Sequence, residues 1–315
     1  MNGQDILRQL LIFNMLLTEL VEFLPNKNLK VVNDGDFNTF ALCGWDGTKQ
    51  LVPLFDETYV DRIFEDKKIS CILISDKIFQ NISREQKEKK SFIITNNSYE
   101  VFYELHLKLF EIKNKNIART KVHPNANVHE SVFIDNYGVE VGENSIIGPN
   151  CTILRGTIIK KNCKIYSNVI LGEDGFEVRN IKDKQLIIPH LGNTIINDNV
   201  DIQAGSIILK PVFNTSSKIS ESVKIGSNVM ISHGVRIGKN TQICASSTIC
   251  GNVVIGKNCY LGPNSTISNN LKVGNNSKIS IGSTVVSNVP SNKIFTGYFS
   301  IEHQKFLNNY TKLYE

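Results

Sequence analysis

Six histidines stand in the 315-residue sequence, and His233 is the one placed where an imidazole can do chemistry. It lies in the run Ile231, Ser232, His233, Gly234, Val235, Arg236. That spacing, two residues past an aliphatic rung of the repeat described below, predicts an outward side chain near a chain corner. There an imidazole can take a proton near neutral pH from an attacking amine or hydroxyl. The competing reading is a solvent-exposed corner residue with no chemistry. His190, in the run Ile188, Pro189, His190, Leu191, Gly192, is within plausible reach of the same region. Its simpler role is a loop histidine bonded to backbone. His123 and His129 are expected to be structural, and His106 and His303 to be surface residues on helices. With only His233 and His190 as plausible donors and no histidine-rich spacing, no metal site is expected. No glycine-rich loop precedes a Lys-Ser or Lys-Thr pair, so a P-loop is absent.

The element that must position His233 is a repeat. Ile219, Ile225, Ile231, Ile237, Ile243, Ile249, Ile255, Leu261, Ile267, Val273, Ile279 and Val285 recur every sixth residue without a slip. Such a period predicts a stacked solenoid, here a left-handed parallel β-helix of hexapeptide repeats. The large aliphatic residues point inward, each burial contributing roughly 1.5–3 kcal/mol. A second inward column is small or β-branched, for example Val223, Val229, Val235, Ser247 and Ser265. Asn and Gly recur at a third column (Asn228, Gly234, Asn240, Asn252, Asn258, Asn270), where corners need a residue that tolerates positive φ. A β-sandwich would instead show alternation at irregular spacing.

The frame starts at Val122, Val128 and Ile134, takes one extra residue near Tyr137, and resumes at Val141. It breaks over 172–194 and again over 210–218, then runs to about 289. At three hexads per coil this makes roughly nine coils, and at ~4.8 Å per strand a prism ~40 Å long. Binding and catalytic groups tend to sit on loops held by a rigid scaffold. Both breaks precede the His233 repeat and are expected to mark the cleft.

Four parts are expected: an N-terminal helical segment over 1–28, with one or two amphipathic helices over 4–24; a small α/β nucleotide-binding-like domain over 29–112; the β-helix over 122–289; and an extension over 290–315 with a helix at 302–313. Within the α/β part, 70–75 and 91–95 read as buried strands and 99–110 as a helix. Charged residues are 21% and net charge is +5, an ordinary balance that gives no argument for nucleic acid. Seven scattered cysteines, three of them (Cys151, Cys163, Cys259) in the small inward column, fit packing and a reducing, cytoplasmic compartment. No run reaches the ~18 apolar residues of a membrane span, and no signal peptide is expected.

The ordered motifs resemble the UDP-3-O-acylglucosamine N-acyltransferases of lipid A synthesis and relatives that acylate nucleotide-linked amino sugars. The likeness covers residues 15 to 313. The stretches 47–59, 70–75 and 97–102 follow that family's N-terminal uridine-binding domain, and Val122, His123 and Pro124 its entry into the β-helix. Asp174, Gly175 and Phe176 with the 188–192 run resemble its insertion. Ser232, His233 and Gly234 fall where the family has its catalytic histidine, and Thr296, Gly297 and the terminal helix resemble its ending.

The resemblance implies a homotrimer with sites between adjacent subunits. The acyl donor would be a thioester on coenzyme A or acyl carrier protein, with no permanently bound cofactor. His233 would be general base, with corner backbone N–H groups stabilising the oxyanion. Gly251, His190 and Asn270 would be supporting positions, and Phe55, Asp56, Tyr59, Asp174 and Phe176 substrate contacts. The chain departs from the pattern at Gly234 (Asn in the family), Pro53 (the uracil-stacking Phe), Asp56 (Asn) and Asn270 (a second histidine); the segment 209–211 also lacks the family's acidic-basic-glycine run. Because these departures cluster at acceptor-recognition positions, the expectation is an N-acyltransferase for a different nucleotide amino sugar, with dTDP as candidate nucleotide, in surface glycan (lipopolysaccharide-type) synthesis. The alternatives are the lipid A enzyme itself, using acyl carrier protein, and a non-catalytic trimeric binding scaffold.

Overall fold

A computed structural model describes residues 14–115, 117–297 and 302–305. The six-residue period becomes a left-handed parallel β-helix with a small N-terminal α/β domain beside it. Three parallel sheets of eight, eight and nine strands form the faces of the prism. Ile219 lies beside Ile237 and Ile237 beside Ile255, so each coil is three hexads. Ile225, Ile231, Ile237, Ile249 and Leu261 are buried in one continuous core with Val223, Val229 and Cys259.

The corner column takes the left-handed conformation its residue types suggest. Asn252 has φ 59°, Asn270 φ 61° and Gly234 φ 69°. Asn side chains bond one another along this column: Asn240 to Asn258 at 3.3 Å, Asn258 to Asn276 at 3.1 Å, and Asn252 to Asn270 at 3.3 Å.

The prism closes up across both breaks. Ile159 pairs with Ile196, and Ile196 with Ile219, so the intervening chain is extruded while the ladder continues. The first break carries an antiparallel hairpin, Val178–Ile181 with Lys184–Ile187.

The N-terminal domain has a five-stranded sheet in the order Lys30–Val32, Ser91–Thr95, Ile69–Ser75, Gln50–Leu54, Thr39–Phe40. All neighbours are parallel except the first pair. The helix Ser98–Lys115 packs Val101, Phe102, Leu105 and Leu109 into the core. Of the helical stretch expected over 4–24, residues 4–13 lie outside the described residues, and 14–24 do not form one continuous helix. Its described part is a two-residue strand, Met15–Leu16, and a short helix, Leu17–Val21. The helix expected over 302–313 lies outside the described residues beyond 305. Among the described residues no helix is long and apolar enough to cross a membrane.

The breaks have a role that spacing alone does not show: they fasten the two parts together. Ile181, Ile188, Leu191, Val212 and Phe213 belong to the same apolar cluster as Phe40, Leu51, Phe102 and Leu105. The Phe213 ring sits 5.6 Å from Phe102, 4.8 Å from Trp45 and 5.4 Å from His106. Next to it, the Asn214 side chain accepts from the Phe40 N–H at 2.6 Å and donates to the Asn38 carbonyl at 2.9 Å. His106 is therefore no surface residue. It is fully buried, and its Nε2 donates to the Pro189 carbonyl at 2.7 Å.

Candidate active site

His233 stands in the corner between strands Met230–Ile231 and Arg236–Ile237. Its backbone is held from both sides. The Gly234 N–H donates to Ser217 Oγ at 2.9 Å, and the His233 carbonyl accepts from the Asn252 N–H at 2.8 Å. The ring lies over Gly251, one coil on, where an added Cβ would stand 2.4 Å from His233 Cε1 and 2.6 Å from Nε2. Gly175 approaches the other edge; a Cβ there would be 3.6 Å from Cδ2. The Trp45 indole lies parallel to the imidazole, centroids 5.8 Å apart and planes 8° apart. His233 Nδ1 is buried without a hydrogen-bond partner among the described residues. Burial lowers the His233 pKa below the usual histidine value, so at neutral pH the ring is an unprotonated base.

A cleft of about 670 Å³ opens beside this corner, between the N-terminal domain and the prism. The domain contributes Trp45, Phe55, Tyr59, Tyr99 and Arg62 to its lining, and the prism contributes Arg236, Asn252, Asn270 and Lys272. Arg236 and Lys272 stand two coils apart on one outward column, flanking Val254. Aromatic faces at one wall and cations at another suit an anionic ligand with a flat ring.

The hexapeptide repeat is shared with known proteins. A family model for the bacterial transferase hexapeptide (six repeats) matches residues 138–173, 216–251 and 234–269, and one for the hexapeptide repeat of succinyl-transferase matches 252–287. UDP-3-O-acylglucosamine N-acyltransferase 1 of Francisella tularensis is 29% identical over 241 residues, covering 64% of this chain and 68% of that protein. UDP-3-O-acylglucosamine N-acyltransferase of Helicobacter pylori is 28% identical over 233 residues, covering 67% and 68%. Among solved structures, UDP-N-acetylglucosamine acyltransferase from Campylobacter jejuni overlays 55% of this chain and 70% of its own at TM-score 0.44 and 19% identity. The repeats and these relatives support a hexapeptide-repeat acyltransferase.

In this acyltransferase the expected site residues do not all meet. Phe55, Tyr59 and Asn270 line the cleft, and Gly251 lies under the His233 ring. Asp56 does not line the cleft. Its carboxylate accepts from the Thr58 N–H at 2.9 Å and caps the short helix Glu57–Tyr59, which accounts for an acid at that position. Asp174 pairs with Lys210 at 2.9 Å and accepts from the His190 N–H at 3.2 Å, so it braces the insertion. Phe176 is 86% exposed and outside the cleft lining. His190 is 6.1 Å from His233, ring to ring. Both of its nitrogens are occupied: Nδ1–H donates to the Ile188 carbonyl at 3.1 Å and Nε2 accepts from the Gly175 N–H at 3.0 Å. It orders the loops around His233 and has no lone pair left for proton transfer.

Sequence reading missed Trp45, Arg62, Arg236 and Lys272. The outward column of the hexad frame pointed to Arg236 and Lys272. Trp45 carried a weaker mark, as the single tryptophan between two glycines.

The two buried histidines give a stability prediction for this acyltransferase. Burial pushes both His106 and His190 down from 6.5 to about 4. Between those values the unfolded chain binds protons that the folded chain refuses. Stability is therefore full above pH 6.5 and is lost as pH falls toward 4. Each unit of difference is worth about 1.4 kcal/mol, so the combined loss is on the order of several kcal/mol. The urea midpoint should drop clearly from pH 7.5 to pH 5.0, and an unchanged midpoint would show that these rings are not held neutral.

Proposed function

We propose that this enzyme moves an acyl group from a thioester, on coenzyme A or acyl carrier protein, to the amine of a nucleotide-linked amino sugar used in a surface glycan. The observation that carries the reading is the cleft, whose lining joins aromatic faces to the cations Arg62, Arg236 and Lys272 and includes Trp45, the indole stacked on His233. The aromatic rings suit a base and the cations suit a diphosphate. The sugar amine would then sit at the His233 corner. His233 takes a proton as the amine attacks the thioester carbonyl. A backbone N–H near Gly251 receives the oxyanion. Collapse breaks the C–S bond, the thiolate leaves, and the imidazolium returns a proton to it. Catalysis in the cytoplasm by a homotrimer fits this reading, with each cleft completed by a neighbouring subunit.

The nucleotide divides two versions of the proposal. The names of the relatives favour UDP-3-O-acylglucosamine as acceptor, with which we pair an acyl carrier protein donor. Pro53 at the stacking position favours a different nucleotide such as dTDP, although Phe55 and Tyr99, 5.2 Å apart, still offer aromatic faces. Thiol release and product mass, followed with UDP- and dTDP-amino sugars against short-chain acyl-CoA and long-chain acyl carrier protein, separate the two. The reading expects N-acylated product from at least one pairing. No thiol release and no rise in melting temperature with any of them would refute it, since a specific ligand stabilises by mass action.

A further inference from the structure

A histidine that accepts a proton during acyl transfer becomes a cation, and something must stabilise that charge. Around His233 no carboxylate serves. Its Nδ1 has no hydrogen-bond partner among the described residues, and burial is the sole cause of its pKa shift. Asp174, on the insertion beside His190, is taken up by Lys210 and by the backbone of His190. What faces the ring instead is the Trp45 indole, parallel to it at 5.8 Å. That is within the ~6 Å over which an aromatic face attracts a cation.

The indole is held in place deliberately. Trp45 packs edge-on against Phe213 at 4.8 Å, and its neighbour Asp46 pairs with Arg236 at 2.6 Å, on the strand that follows His233. Burial pushes the Asp46 carboxyl up, but the hydrogen bond and charge of Arg236 more than offset this and hold it below the usual range. A loop of the N-terminal domain is thus latched to the prism with its tryptophan over the imidazole.

We propose that Trp45 is a positioning residue for His233: its π face orients the imidazole and stabilises the imidazolium formed as the proton is taken, a role that hydrogen-bonded carboxylates fill in other histidine bases. The inference rests on the reading of His233 as the base.

The test is a mutant cycle in kcat at saturating acceptor, because Trp45 also lines the cleft. Trp45→Leu keeps an apolar cover and contact with Phe213 but removes the π face. It should lower kcat on the order of 10-fold with the donor KM unchanged. Trp45→Phe should recover most of that loss. Placed in a His233→Ala background, Trp45→Leu should cost nothing further, because its effect passes through the missing ring. Equal losses from Trp45→Leu in both backgrounds, or a Phe variant no better than Leu, would overturn the positioning role. Full activity of His233→Ala alone would instead remove the base reading on which it rests.

Discussion

His233→Ala should lower kcat by about 10²–10⁴-fold, the usual contribution of a positioned general base. The expectation follows from where the ring is. It sits at a corner beside the cleft, its pKa lowered by burial, so the base is free at neutral pH and remains so somewhat below the usual histidine range. No second imidazole can replace it, because His190 has both nitrogens bonded and His106 is buried against Pro189. The change should leave the fold intact, since the inward rungs Ile231 and Val235 on either side of the corner carry the packing. Steady-state thiol release with matched melting curves checks this. A variant within threefold of wild type would place the chemistry elsewhere.

Gly251→Ala should cost nearly as much, on the order of 10²-fold in kcat, without touching a titratable group. A Cβ at that position would stand 2.4 Å from His233 Cε1 and 2.6 Å from Nε2. Neither contact is tolerable, so the ring must swing away, and a displacement of ~1 Å at a reacting group is enough for such a loss. Gly251 is not among the residues with positive φ, so its backbone can accept alanine without strain. The expected result is a kcat defect with a melting temperature close to wild type. Wild-type turnover would mean that the ring is not confined as described; a large fall in melting temperature would mean that the glycine serves the prism instead.

The prism was legible because its physics is local and repeated. Every inward rung from Ile219 to Val285 faces an aliphatic neighbour one coil away, so one column of the sequence states the rule and the next confirms it. The Asn and Gly corners were readable for the same reason. The site was less legible because it joins residues far apart in the chain. Trp45 meets His233, and Asp46 meets Arg236, through a docking that depends on Phe213 and Asn214, and no periodicity announces such a contact. The frame breaks were expected to mark the cleft; of their residues Arg179 lines it, while Ile181, Ile188, Leu191, Val212 and Phe213 secure the N-terminal domain. Asp56 was expected at the cleft only because it falls where the resembling family has an Asn, and a helix cap accounts for the acid there. His106 misled because a helix followed by a polar linker looks exposed until a second domain covers it.

In the proposed mechanism the cleft holds the acceptor while His233 performs the chemistry, two roles kept by different residues. Calorimetric titration of the nucleotide amino sugar into the wild-type chain and into His233→Ala tests that separation directly. The expected result is the same Kd in both, within about threefold, although only the wild type turns the acceptor over. Loss of binding in the variant, or no binding to either chain, would contradict it.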